Sequence, residues 1–334
     1  MKKNNTLQAI SYCLIGGSGR SGTTILKKIF AQHPDVAYVP EWRFTIDPDG
    51  LIDFYNTFST GWSPFLVDVK LRRLERLLKD IGQSNRSISS HIKRIPHYIK
   101  LEQQIPYKLV PKYVGLSIVD YCPNYLDLVD QLIRNLAAFR YQGSWIGAEL
   151  LLDRNISYSS PYRTDDLAHI LGEFIRQMSR CAVENQGAKY YVEDNTWNIL
   201  WFDKILKLVP EAKLVHIYRD PRDVVASYTK QRWTPSDPVQ SAQVYQGLFE
   251  RWWQVRQSLP PESFAEISLE SLVADPKLVL RQLCELWEIE WHKSLLETDL
   301  SHSNSGRWKR DLTLNEQQQV SEILAEQIVK LGYK

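Results

Sequence analysis

Tyr12-Cys13-Leu14-Ile15-Gly16-Gly17-Ser18-Gly19-Arg20-Ser21-Gly22-Thr23-Thr24-Ile25-Leu26-Lys27-Lys28-Ile29-Phe30 is the stretch on which the fold turns. The apolar run from Ser11 to Ile15 stops at Gly16-Gly17 and reads as a buried strand entering a glycine loop. From Thr23 onward, Ile25, Leu26, Ile29 and Phe30 recur at helical spacing, and His33-Pro34-Asp35 ends that helix. Val36 to Val39 reads as the next strand. Strand, loop, helix and strand in this order open a parallel α/β sheet.

The same grammar returns later in the chain. Lys213 to Tyr218 is a clear strand, followed by a turn at Arg219-Asp220-Pro221 and a helix over about 221–229, with Pro221 preset for a first helical turn. Tyr190 to Glu193 and Phe264 to Leu269 are shorter strand candidates, and a helix is expected over about 196–208. Leu71, Leu74, Leu77, Leu78 and Ile81 repeat at helical spacing, as do Leu126, Val129, Leu132, Ile133 and Leu136. Thr164-Asp165-Asp166 predicts the N-cap of a long helix reaching about Glu184. No repeat, low-complexity tract or interdomain linker interrupts the chain. The expectation is one α/β domain over 1–334, a central parallel sheet flanked by helices, with a mostly helical, basic insertion at about 60–140 shaping the acceptor side.

Composition narrows the classes. The 334 residues are 43% hydrophobic and 24% charged, which excludes disordered and fibrous proteins. Forty-one Lys and Arg against 39 Asp and Glu leave a net charge of +2, which argues against nucleic-acid binding through bulk charge. Cys13, Cys122, Cys181 and Cys284 show no Cys-x-x-Cys spacing, so neither a disulfide framework nor a zinc site is expected. The N-terminal apolar run is too short for a signal peptide or membrane span, and the expected setting is cytoplasmic. Charge is uneven: residues 70–112 hold 11 Lys or Arg and three acids. The plain reading is the solvated faces of amphipathic helices; the sharper one is a rim that attracts an anionic substrate or partner.

A glycine loop between a strand and a helix suits phosphate. The helix N-terminus offers unpaired N–H groups and partial positive charge, glycines allow close approach, and hydroxyls add donors. Gly17-x4-Gly22 has the spacing of a Walker A loop, yet Thr23 stands where its lysine belongs, and the positive charge sits at Arg20 instead. An NTPase needs that lysine and a metal on the β- and γ-phosphates, so this loop points to a less charged terminal group. Arg219 is delivered to the carboxyl edge of the sheet, where open α/β sheets bind ligands, and Ser227 follows eight residues later.

Together these segments resemble the sulfotransferases that use 3′-phosphoadenosine 5′-phosphosulfate (PAPS). Arg20-Ser21-Gly22-Thr23-Thr24 is similar to the family's 5′-phosphosulfate loop, and Arg219 to Ser227 to its 3′-phosphate motif. Gly306-Arg307-Trp308-Lys309 is similar to the C-terminal loop that closes over the cofactor, and Glu270 to Pro276 to the family's Tyr-Glu-Asp-Leu segment. Arg20, with His33-Pro34-Asp35-Val36 and Glu41, resembles the tyrosylprotein and carbohydrate-type members. Asp194-Asn195-Thr196-Trp197 departs from the Lys-Thr-Pro common in those relatives, so no lysine of this segment is expected as an electrophile.

The resemblance implies a P-loop-NTPase-like sulfotransferase fold with helical additions. It implies in-line transfer of a sulfuryl group from PAPS to a hydroxyl or amine of a small-molecule, carbohydrate or peptide acceptor, without metal. Arg20 would be catalytic and, with Ser21, Gly22, Thr23 and Thr24, would hold the phosphosulfate. Arg219, Ser227, Arg307, Trp308 and Lys309 would complete the cofactor site, with 301–306 expected to order on binding. Glu41 is the expected base, by its match to the acidic position of the tyrosylprotein relatives; an ordinary ion pair with Arg43 is the plain alternative. His216, His302 and Asp194 are the rivals. Outside this reading stand a P-loop kinase and a non-enzymatic module that binds anionic ligands through the 70–112 stretch.

Overall fold

Seven strands form: β1 (Tyr12–Gly16), β2 (Val36–Tyr38), β3 (Phe139–Gly143), β4 (Arg154–Tyr158), β5 (Tyr190–Asp194), β6 (Lys213–Tyr218) and β7 (Phe264–Ser268). They belong to a computed structural model that describes residues 11–83, 116–144, 154–300 and 305–334. Five of them make one parallel sheet in the order β2-β5-β1-β6-β7. β1 is central and buried along its whole length, which is why it reads as a continuous apolar run rather than an alternating one. The strand and helix limits read from the sequence here fall within a residue or two of those observed.

Because the sheet is parallel, the segments leaving β1, β5 and β6 depart from one edge. Ile15 lies in register with Asp194, and Gly16 with His216, so the three departures are side by side. The chain also leaves β1 toward different sides, with β5 and β2 on one and β6 and β7 on the other. That reversal creates the crevice in which open α/β sheets hold ligands. Beneath it, Leu26, Ile29 and Phe30 of the helix Thr23–Phe30 pack with Val215, Ile217, Leu280, Leu283 and Trp287 in one buried cluster.

The described chain divides into two compact units. The first takes the chain up to Tyr38, Ala188–Leu206 and Pro210–Lys334, and contains the parallel sheet. The second takes Val39–Gly187 with Lys207–Val209, built on helices Leu51–Thr60, Pro64–Gln83, Tyr125–Leu136 and Thr164–Asn185. Leu71, Leu74, Leu77, Leu78 and Ile81 are buried, as their spacing predicts. Asp68, with no exposed surface, accepts from Ser157 N (3.2 Å) and Arg72 Nη2 (2.9 Å), tying helix Pro64–Gln83 to β4.

Two features differ from the sequence expectation. β3 and β4 form an antiparallel hairpin that no apolar run announced, because β3 is largely solvent-exposed. Arg163, not Thr164, occupies the N-cap of the long helix; Thr164 is its first helical residue, and Asp165 and Asp166 complement the dipole from the first turn. Of the basic stretch, residues 84–112 lie outside the described residues. Of the described cations, Lys70, Arg72, Arg73 and Lys79 pair with carboxylates, on Asp53, Asp68, Asp49 and Glu75. Among the described residues no helix is long and apolar enough to cross a membrane.

Candidate functional site

The glycine loop is shaped by backbone of the left-handed region, which favours glycine and which Arg20 adopts between two glycines. Gly19 (φ 81°), Arg20 (φ 57°) and Gly22 (φ 111°) all adopt left-handed conformations. Successive residues of this kind turn their N–H groups toward one concave face, a natural anion nest. Gly17 N–H donates to the Thr196 carbonyl at 2.8 Å, and a Cβ at Gly17 would meet Ser21 Oγ at 2.4 Å and the Ile217 carbonyl at 2.7 Å. Glycine is therefore required where the loop leaves β1. Helix Thr23–Phe30 starts at Gly22 with no side-chain cap. The Ser21 hydroxyl, in a residue with no exposed surface, has no hydrogen-bond partner. A buried donor in that state fits an anion that would fill the nest.

Arg20 and Ser227, 207 residues apart, meet here: Arg20 Nε donates to Ser227 Oγ at 3.0 Å. Arg20 is exposed and Ser227 is buried. The structure thus joins the two segments the sequence singled out separately. Tyr228 hydroxyl, next along the helix, donates to the Ser18 carbonyl and locks the same junction from behind.

Arg219 is buried at the end of β6, with Nη2 3.0 Å from Asp223 Oδ2. Asp220 caps helix Pro221–Tyr228, accepting from Arg222 N at 2.9 Å, while its carboxylate also takes Arg222 Nε and Nη2 at 3.0 and 2.8 Å. The Arg222 guanidinium lies over the Trp308 ring at 4.3 Å, with Lys309 Nζ 5.5 Å from the same ring. Arg307 pairs with Asp311 at 2.7 Å, and Lys230 reaches the same carboxylate at 2.6 Å. These cations, Lys230 first and Arg307 next, hold the Asp311 carboxyl well below the usual range. Residues 301–304, which include His302 and most of the segment expected to order, lie outside the described residues.

Beside the loop, Asp194 ends β5 and pairs with Lys27 Nζ at 2.6 Å. Burial raises the Asp194 carboxyl above its ordinary value, and the Lys27 ammonium opposes that shift. His216 is fully buried in β6. Glu41, the expected base, lies in the second unit, 40% exposed at its side chain and 3.4 Å from Arg43 Nη1. Arg43 is held more closely by Asp47, at 2.8 Å. Among the described residues no group of three or more His, Cys, Asp or Glu is placed to hold a metal ion.

Sequence reasoning missed three contributors. Asp223 reads as one more charge in an Arg-Asp-Pro-Arg-Asp run, and its partners near residue 306 are invisible locally. Lys27 reads as a solvated helix residue, yet its side chain is nearly buried on Asp194. Trp233, 51% exposed, stands against Gly19, where a Cβ would meet its ring at 2.8 Å. An exposed tryptophan on an otherwise polar turn was the signal available for it.

Fold and site together place a glycine loop of left-handed backbone, with the buried and unpartnered Ser21 hydroxyl, at the edge of a parallel α/β sheet. Residues 147–293, somewhat less than half of the chain, match the family model described as "Sulfotransferase family". The matched stretch holds Arg219 and Ser227 but neither the glycine loop nor Gly306-Arg307-Trp308-Lys309. Among solved structures, the chain is similar to the sulfotransferase domain of the Synechococcus PCC 7002 olefin synthase (16% identity, 94% of each chain covered, TM-score 0.47). It is similar to the sulfotransferase domain from the curacin biosynthetic pathway (16% identity, 97% of this chain and 98% of that one, TM-score 0.48). A Mycobacterium avium sulfotransferase matches at 13% identity over 98% of this chain and 78% of that one (TM-score 0.46). Among curated proteins no match is found.

Proposed function

We propose that the protein transfers a sulfuryl group from PAPS to a hydroxyl or amine of an acceptor, without a metal ion. The observation that carries this reading is the bond from Arg20 to Ser227, which unites a glycine-loop anion nest with an Arg–Ser pair at the same sheet edge. When bound, PAPS supplies an activated sulfuryl group on a phosphate leaving group. Arg20, the nest amides and the hydroxyls of Ser21, Thr23 and Thr24 hold the 5′ anion and the charge that grows on its bridging oxygen. Fixed donors of this kind need no reorganisation as the reaction proceeds, and positioning supplies much of the rest.

Arg219 and Ser227 hold the ribose 3′-phosphate, which distinguishes this donor from ATP, with Arg307 and Lys309 adding charge and Trp308 packing beside them. Thr23 at the Walker lysine position supports a terminal group that carries less charge than a γ-phosphoryl. Glu41, with its partly exposed carboxylate, takes the acceptor's proton.

Calorimetric titration with 3′,5′-phosphoadenosine and with ATP tests the donor. Tight binding of the first and weak binding of the second is expected, with turnover that survives EDTA. Equal affinity for ATP, or activity restored by Mg²⁺ alone, would favour a P-loop kinase. Glu41→Gln is expected to keep nucleotide affinity and lower turnover on a hydroxyl acceptor by ~10²–10⁴-fold. Near wild-type turnover in that variant would move the search for the base to Asp194 or the histidines His216 and His302.

A further inference from the structure

Asp223 has no exposed surface, yet its carboxylate is met by three donors from two segments of the chain. Oδ2 accepts from Arg219 Nη2 at 3.0 Å and from Gly306 N at 2.8 Å, while Oδ1 accepts from Trp308 N at 3.0 Å. A single buried group thus connects the guanidinium at the end of β6 with the backbone that carries Arg307 and Lys309. A second tie follows within the same segment, where Asp311 gathers Arg307 and Lys230. Both anchors fix the segment to one helix and the residues just after it.

We propose that Asp223 is a positioning residue for the donor pocket, setting the 306–309 backbone and Arg219 in one fixed relation; this rests on the donor reading above. The chemistry demands a carboxylate. Only a carboxylate accepts at both oxygens, and an asparagine offers one acceptor and turns an NH₂ against an N–H whichever way it faces. An uncapped buried anion would be costly, and here each oxygen is met by a donor that has a place in the pocket. With its oxygens taken by these donors, Asp223 acts through the groups it holds. Arg307 and Lys309 are therefore productive only while the carboxylate is in place.

The test compares wild type, Asp223→Asn, Lys309→Ala and the double variant by calorimetric titration with 3′,5′-phosphoadenosine. It also follows amide hydrogen exchange over 305–312 in the ligand-free wild type. Asp223→Asn is expected to weaken binding ~10–100-fold, the range for charge-assisted hydrogen bonds. Lys309→Ala should weaken the wild type yet add almost nothing on top of Asp223→Asn, because the lysine is already misplaced. The Gly306 and Trp308 amides should be protected in the wild type, a measurement that does not depend on any variant folding. Additive losses, or wild-type affinity in Asp223→Asn, would overturn the positioning role, as would unprotected amides at 306 and 308. Failure of the wild type to bind the nucleotide at all would instead overturn the donor reading on which the proposal stands.

Discussion

Two carboxylates lie close to β6, Asp223 fully buried and Glu266 partly buried, and they are used differently. Glu266, on β7 in register with His216, accepts from His216 Nδ1 and Trp252 Nε1, each at 3.0 Å, and from Arg256 Nε at 2.7 Å. Burial alone would raise its carboxyl, but the hydrogen bonds from His216 and Trp252 and the charge of Arg256 bring it down to about 2. Asp223, just past the end of the same strand, is equally saturated. At the glycine loop, however, donors remain open: Arg20 is exposed, Ser21 Oγ has no partner and the helix at Thr23 has no side-chain cap. The Glu266 carboxylate is a closed account of donors that holds the fold. The loop edge keeps donors unpartnered, as the proposed donor site requires.

The largest expected effect blurs that division. Arg219→Ala leaves Asp223 as an unpaired charge in a fully buried place, and breaking such a pair costs about 3–5 kcal/mol. Urea unfolding should show that loss, alongside the loss of 3′,5′-phosphoadenosine binding. An Arg219→Ala protein of unchanged stability would mean that Asp223 is held by its amide donors alone.

Glu266→Gln comes next and should separate the two regions. Its carboxyl falls from an ordinary 4.5 to about 2 on folding, which caps the stability it contributes at about 3–4 kcal/mol. Because the folded value is the lower one, that contribution is present in full above pH 4.5 and is lost as the pH falls through about 2. The Gln variant should be less stable at neutral pH and flatter in its acid unfolding, with nucleotide affinity unchanged. A change in affinity would show that the cavity of about 280 Å³ beside Glu266, lined by Tyr218, Trp253 and Lys330, is coupled to the loop edge.

What could be read in the sequence follows the same line. β1, β6 and the helices after them were legible because buried parallel strands are continuous apolar runs and their loops carry glycine or Pro at fixed places. Arg20, Ser227 and Arg219 were legible because their chemistry is unusual for a turn. Asp223 was not, since its meaning comes from Gly306 and Trp308, 83 and 85 residues away. β3 was missed because Phe139 and Tyr141 face solvent and produce no apolar run. The cap at Arg163 was missed because Thr164 is the better capping residue by propensity, and the backbone placed it one position inside the helix.

Arg20→Ala is the smallest change to the folded protein and the sharpest test of the division. Arg20 is exposed and donates to Ser227 Oγ, and its left-handed φ of 57° strains alanine as much as arginine. Removing it therefore leaves backbone strain unchanged and uncovers only a serine hydroxyl at the surface of the nest. Stability should move by less than about 0.5 kcal/mol, the usual range for a surface substitution. Binding of 3′,5′-phosphoadenosine should nevertheless weaken by about 1.5–3 kcal/mol, the worth of hydrogen bonds to a charged partner. Arg20→Lys should recover only part of that loss, because an ammonium keeps the charge but not the planar fork. The informative quantity is the ratio of the two effects, measured by calorimetry and urea unfolding on the same preparations. If Arg20→Ala destabilised the fold as much as Glu266→Gln while leaving nucleotide affinity intact, the open donors at the loop edge would be structural after all. The distinction between a closed cluster and a waiting one would then fail at the residue on which it depends most.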